Sequence, residues 1–334
     1  MTKIRWGIVG AARVNERLMP AIINSEVGEL IAIGSRRIGA AKDCLLKHAA
    51  HLEDTVQTFD GLDQIVNHSR IDAIYVPLAN EEHVEIALKS IRAKKHVLIE
   101  KPMALKSSEV QMLFEEAKKF NVKLMEGFMY AFHPQFDRIQ NVITSNILGE
   151  VNYAHSMFSF PIQPARFYRI NRSMKNGGGA LWDIGPYAIH TLRNCFKEEP
   201  KNVYASAKLN KHGADVSTTG ILDFGNNKRA TFDISFECIR RSEFEAFGPL
   251  GRVKCPTVWQ PEDKPAKVIY VTESSGLKEE VVPSANHFLL EINHFNKVIL
   301  NQKEQKLNMN DALWNAKTLE GIEKSIAKHE WVKL

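Results

Sequence analysis

The chain has 334 residues, 44% of them hydrophobic and 25% charged, a composition ordinary for a globular protein and a length sufficient for two domains. Its formal net charge of +5, with Lys and Arg scattered rather than striped, argues against a nucleic-acid or membrane partner. Cys44, Cys195, Cys238 and Cys255 are far apart, with no Cys-x-x-Cys and no His pair at zinc spacing. They read as buried reduced thiols of a cytosolic protein, and no metal site is expected. Arg13, Glu16 and Arg17 interrupt the first apolar run too soon for a signal peptide, and no apolar segment approaches membrane-span length.

The first third alternates short apolar runs with amphipathic stretches. Strands are expected over 4–9, 30–33, 56–59, 71–76, 96–99 and 122–126, and helices over 16–24, 40–51, 62–66, 82–93 and 108–120. Continuous apolar strands between helices imply βαβ units and a parallel sheet covered on both faces. About six strands in this order is the doubly wound Rossmann arrangement, an α/β dinucleotide-binding domain placed here at 1–126.

The turn after the first strand runs Gly7-Ile8-Val9-Gly10-Ala11-Ala12-Arg13-Val14-Asn15. A full dinucleotide fingerprint needs glycine at 10, 12 and 15; here Gly10 makes the tight turn, Ala12 is small enough for a pyrophosphate to approach, and Asn15 departs. Gly10, Ala12 and Arg13 are therefore candidate cofactor contacts. The second strand ends in Ser35-Arg36-Arg37, where an NAD site usually has an acid for the ribose 2′-hydroxyl. A hydroxyl and two always-charged guanidiniums suit a 2′-phosphate, so NADP is expected over NAD. The loop Pro77-Leu78-Ala79-Asn80-Glu81-Glu82-His83 leaves the fourth strand on its carboxyl side. Pro77, Leu78, Asn80 and His83 are candidate cofactor contacts, with helix capping by Asn80 and a structural His83 as the alternatives.

The fifth strand stops at Glu100-Lys101-Pro102. Proline takes the chain out of regular strand and leaves Glu100 and Lys101 at the carboxyl end, where open parallel sheets bind ligands; the alternative is a solvated strand end.

Beyond Gly127 the rhythm changes, and a second domain is placed at 127–334. Residues 151–160, 203–209, 216–224, 228–238, 243–247 and 268–271 alternate at strand spacing, and helices close the chain over 288–300 and 310–329. A sheet with one face outward invites a second copy of the chain, so a homodimer or larger homo-oligomer is expected. Within this domain, Gly177-Gly178-Gly179-Ala180-Leu181-Trp182-Asp183-Ile184-Gly185-Pro186-Tyr187 leads a helix to Phe196, distorted at Gly185-Pro186. On a helix Asp183, Tyr187 and His190 share a face, either as a site or as a polar side bonded to nearby loops. Arg166, Tyr168 and Arg169, with Tyr130 and His133, are candidates to line a substrate pocket or to pack between the domains.

Gly7-Ile8-Val9-Gly10, Pro77-Leu78-Ala79-Asn80-Glu81-Glu82-His83, Glu100-Lys101-Pro102 and the glycine-led Asp183–Tyr187 run together resemble the glucose–fructose oxidoreductase / inositol dehydrogenase / rhizopine catabolism family (Gfo/Idh/MocA), especially its glucose–fructose oxidoreductase and dimeric dihydrodiol dehydrogenase branch. The resemblance runs over nearly the whole chain. It implies a Rossmann domain followed by an α+β domain with a large, mainly antiparallel open sheet often used for oligomerisation. It also implies that Lys101 is the catalytic lysine, that Tyr187 is the second acid–base residue, and that Asp183 orients the substrate or the lysine. His190 has no such clear counterpart. The implied activity is NADP-dependent hydride transfer at a hydroxyl or carbonyl carbon of a sugar or related cyclic polyol, such as an aldose or a dihydrodiol. A biosynthetic keto-sugar reductase and a non-catalytic dinucleotide or sugar sensor are the alternatives.

Overall fold

The computed structural model describes residues 2–261 and 264–334. From the amino terminus run β1 (Ile4–Val9), α1 (Asn15–Ile23), β2 (Gly28–Gly34), α2 (Ala40–Ala49), β3 (Gln57–Phe59), α3 (Asp63–Val66), β4 (Ala73–Val76), α4 (His83–Arg92), β5 (His96–Glu100), α5 (Ser107–Lys119) and β6 (Leu124–Gly127). The strands form one sheet in the order β3-β2-β1-β4-β5-β6, with every neighbouring pair parallel. Its central strands are buried on both faces, which is why they read as unbroken apolar runs. The order reverses between β1 and β4, the switch point at which such sheets bind ligands.

The remaining elements are α6 (Pro134–Thr144), β7 (Tyr153–Ser159), α7 (Ala180–Asp183), α8 (Gly185–Phe196), β8 (Asn202–Leu209), β9 (Asp215–Gly225), β10 (Lys228–Ser235), β11 (Arg241–Gly248), β12 (Gly251–Cys255), β13 (Ala266–Thr272), β14 (Gly276–Val282), α9 (His287–Ile299), α10 (Met309–Lys328) and β15 (Val332–Lys333). The second sheet has nine strands in the order β14-β13-β12-β11-β7-β10-β9-β8-β15. It is antiparallel throughout except where β7 and β10 run parallel. One face packs on α8 and buries Ala230, Phe232 and Ile234 of β10. The other carries polar pairs, Arg241 with Asp233 and Lys254 with Glu243 and Glu245, and is the face the sequence reading assigns to self-association. Cys238 departs from expectation: it is exposed, because β10 ends at Ser235 and the alternation ends with it.

The domain division also differs from the sequence reading. The first compact unit runs to Met129 and takes in Asn286–Leu313; the second holds Tyr130–Ala285 and Trp314–Leu334. The return is built by α9, which packs on α1. Phe295 meets the Trp6 ring at 5.9 Å, and Asn296 accepts from the Trp6 indole at 3.0 Å and donates to Ser25 Oγ at 3.0 Å.

Candidate active site

In the first unit, the candidate residues cluster on the loops that leave the carboxyl ends of β1, β2, β4 and β5. Gly10 sits at φ +130°, a conformation that favours glycine, and a Cβ there would fall 2.8 Å from Leu78 Cδ2. Its N–H donates to Gly34 O at 2.7 Å, tying the turn to the end of β2. Where the fingerprint would have a third glycine, Asn15 is fully buried and its amide donates to Gly10 O at 2.8 Å. A side-chain hydrogen bond thus replaces the bare helix–strand packing that a glycine would allow. Helix α1 starts without a side-chain cap, which keeps its first turn suited to an anion.

At the end of β2, Ser35 is buried and its Oγ accepts from Arg37 N at 3.2 Å, so this hydroxyl shapes the turn. Both arginines are exposed. Arg37 donates to Ala11 O at 3.0 Å, across to the first turn, and Arg36 pairs with Glu82. Arg13 is exposed beside Glu16. Asn80 is not the cap of α4: it opens a short 3₁₀ turn preceded by Ala79, and Glu82 holds the N-cap position of α4 without a side-chain capping bond.

His83 takes the structural alternative. It is buried, with Nδ1 at 2.8 Å from Pro102 O and Nε2 at 3.0 Å from Leu78 O. The ring therefore sits between two loops, and in its neutral form the one N–H it carries donates to one of these two carbonyls. Burial is the main cause that pushes its pKa down to about 4, and the Lys101 ammonium adds to the shift. A pH effect follows. The unfolded chain takes up this proton near pH 6.5 and the native fold near 4. Stability from neutral His83 is thus complete above pH 6.5 and lost as pH falls toward 4. We expect denaturant unfolding at pH 5 to show about 2 kcal/mol less stability from this residue than at pH 7.5, and His83→Gln to flatten that slope. An unchanged slope in the variant would refute the assignment.

The Glu100–Lys101–Pro102 turn is braced from three sides. Tyr75 of β4 donates from Oη to Glu100 Oε1 at 2.6 Å, and buried Glu126 of β6 accepts from Met103 N at 2.7 Å. His83 reaches Pro102 O from α4. The Lys101–Pro102 peptide is cis. Sequence reasoning missed Tyr75 and Glu126. Their signal was a polar group near the end of an otherwise apolar strand, where burial without a partner would be costly.

In the second unit, the helix expected over 180–196 is broken at Ile184, because Pro186 lacks the N–H that a continuous helix would need. Asp183 therefore ends α7 and pairs with Arg169, while Tyr187 and His190 ride on α8. Asp183 and Tyr187 are both nearly buried, at 8% and 6% exposure. The Tyr187 ring meets Tyr130 edge-on at 6.0 Å and Phe158 at 5.7 Å, which fixes where its hydroxyl points.

Tyr130, a candidate for the substrate pocket, and His190, expected on the Asp183–Tyr187 face, are fully buried and lie against one another, Oη to Nδ1 at 2.5 Å. Thr191 Oγ1 joins them at 2.8 Å from Tyr130 Oη, accepts from the Trp259 indole at 2.8 Å and donates to Tyr187 O at 2.8 Å. This network anchors the helix that carries Tyr187. His133 is buried as well and caps α6, its Nδ1 accepting from Gln135 N at 3.1 Å. Tyr168 stays exposed with Arg169 over its ring, and Arg166 lies over Phe160. Among the described residues, no group of three His, Cys, Asp or Glu side chains is placed to hold a metal, and no helix is long and apolar enough to cross a membrane.

Comparison with known proteins accords with this arrangement. Residues 4–128 match the model of the oxidoreductase family with an NAD-binding Rossmann fold, and residues 136–254 match the GFO/IDH/MocA C-terminal domain. The chain is 27% identical over 263 residues to trans-1,2-dihydrobenzene-1,2-diol dehydrogenase of Xenopus laevis, covering 77% of each chain. It is 26% identical over 327 residues to D-xylose 1-dehydrogenase (NADP(+)) 2 of Haloferax volcanii, covering 96% of each. Among solved structures, a 3-ketoreductase from Actinomadura kijaniata in complex with NADP and TDP-benzene superposes with a TM-score of 0.89 at 25% identity, over 97% of this chain and 98% of that one. With both halves matched by models of one family and a parallel six-stranded sheet ahead of a nine-stranded mixed one, the chain belongs to the Gfo/Idh/MocA oxidoreductase family.

Proposed function

We propose that this chain is a cytosolic NADP-dependent oxidoreductase that transfers hydride between the nicotinamide and a hydroxyl- or carbonyl-bearing carbon of a sugar or related cyclic polyol. The observation that carries the reading is the braced Glu100–Lys101–Pro102 turn, which holds an ammonium-bearing residue at the carboxyl end of a central parallel strand. For the cofactor, Gly10 makes the tight turn at a φ that favours glycine, Ala12 is small enough for a pyrophosphate to approach, and Arg36 and Arg37 offer exposed guanidiniums for a 2′-phosphate. The NADP named with the Haloferax and Actinomadura relatives supports the same choice.

When bound, the nicotinamide supplies the hydride acceptor or donor. The chain's own residues handle the proton. Tyr187 takes it from the substrate hydroxyl in oxidation and returns it in reduction. Lys101 stabilises the oxygen as negative charge develops. Asp183, fixed by Arg169, orients the substrate.

The test is turnover of the purified protein with a panel of aldoses, keto-sugars and cyclic polyols, using NADP(H) and NAD(H) in parallel. We expect turnover of at least one class and a higher kcat/KM with NADP(H). A higher value with NAD(H) would overturn the cofactor assignment, and cofactor binding without any turnover would make the protein a sensor. The Actinomadura relative is named a ketoreductase, which favours reduction of a keto-sugar as a second reading; activity confined to the reductive half of the panel would select it.

A further inference from the structure

The glycine run before α7 takes no part in the chemistry above, yet one side chain accounts for its last member, Gly179. Asp215, the first residue of β9, is fully buried. Its Oδ2 accepts from Leu181 N at 2.9 Å and from Thr218 Oγ1 at 2.6 Å. Its Oδ1 is buried without a hydrogen-bond partner and lies against Gly179, where a Cβ would fall 1.9 Å away. Gly179 adopts φ +96°, so only glycine fits there on both counts.

That contact sits at a junction. Gly179 N donates to Arg169 O at 2.8 Å, and Gly179 O accepts from Asp183 N at 3.2 Å. The backbone of one residue thus joins both halves of the Arg169–Asp183 pair, and Asp215 presses on that residue. The four-residue α7 has no side-chain cap of its own, so the carboxylate from β9 supplies it. Holding a carboxylate here is costly: burial, with Glu323 adding to it, raises its pKa to about 6.

We infer that Asp215 is a positioning residue for the acid–base machinery: by holding the first turn of α7 against Gly179 it fixes the break at Ile184 and, one residue past it, the start of the helix bearing Tyr187. This inference rests on the function proposed above.

The test is a double-mutant cycle on the full-length protein, with kcat, NADPH Kd by fluorescence titration and thermal unfolding measured for each variant. Asp215→Asn keeps shape and one acceptor oxygen but loses the charge. It is expected to fold, to bind NADPH as the parent does, and to lose about tenfold in kcat. In a Tyr187→Phe background the same substitution is expected to cost nothing further, because it acts through Tyr187. An equal loss in both backgrounds would mean a merely structural role and would overturn the inference. If Asp215→Asn does not fold, Thr218→Val removes one donor to Oδ2 and is expected to lower kcat about threefold, again only when Tyr187 is present. A slow Tyr187→Phe beside a full-speed Asp215→Asn would overturn the inference alone; a full-speed Tyr187→Phe would overturn the proposed function and the inference with it.

Discussion

Lys101→Ala is expected to lower kcat by about 10²-fold or more while NADPH affinity changes little. The backbone that carries Lys101 is held by groups other than its side chain. Strand β5 is paired with β4 on one side and β6 on the other, and the turn beyond it is held by Tyr75, Glu126 and His83. Truncation therefore removes the ammonium and leaves its platform in place. In the proposed reaction the substrate oxygen gains negative charge as its proton leaves in oxidation, or as hydride reaches the carbonyl carbon in reduction, and a preorganised cation is worth far more there than to the neutral ground state. The loss should then appear in kcat and kcat/KM together rather than in KM alone. Lys101→Arg is not expected to restore the rate, because a planar fork does not place its charge where a compact ammonium does. Steady-state kinetics with cofactor titrations checks both variants, and full turnover by Lys101→Ala would remove the residue from the mechanism.

The parts of the molecule that could be read from sequence are those where local pattern and final burial coincide. Strands β1, β2, β4 and β5 are covered on both faces, so their apolar runs stand out against the amphipathic helices between them. Lys101 was legible for a related reason: a charged pair and a proline ending an apolar run is a local signal.

The return of α9 to the first unit was not legible. An amphipathic helix has the same spacing whichever core receives its apolar face, and only the distant partners of Asn296 and Phe295 decide the matter. Strand β14 was missed because it is an edge strand whose charged residues face water, so no alternation survives. Helix α6 was missed although Pro134 at its start and the Phe136, Ile139 and Val142 spacing were present. Among the candidates, Tyr130, His190 and His133 of the second unit and His83 of the first carry chemistry-bearing side chains that make internal contacts. Residue type cannot distinguish a ring that meets a ligand from one that satisfies a neighbour in the core. Asp215 was invisible for the converse reason, since a lone acid in a polar stretch gives no hint that it will be buried.

Tyr187→Phe is expected to lower kcat by about 10²–10⁴-fold, the range for losing a positioned acid–base group. Phenylalanine preserves the ring and with it the edge contacts to Tyr130 and Phe158, and the Thr191 hydroxyl still meets the backbone carbonyl at 187. The helix should stay where it is, so folding and NADPH affinity should match those of the parent. A phenol ionises near pH ~10 in water and is a poor base at neutrality, so its contribution depends on the surroundings favouring the phenolate. The pH profile provides the sharper check. Oxidation needs Tyr187 deprotonated, so its rate should climb with pH until the phenol has ionised. Reduction needs the proton in place, so its rate should fall over the same interval. Both limbs should vanish in Tyr187→Phe, leaving a slow reaction with water exchanging the proton. Should the variant keep the parent's opposed pH limbs at reduced rate, another group titrates in them and Tyr187 does not move the proton.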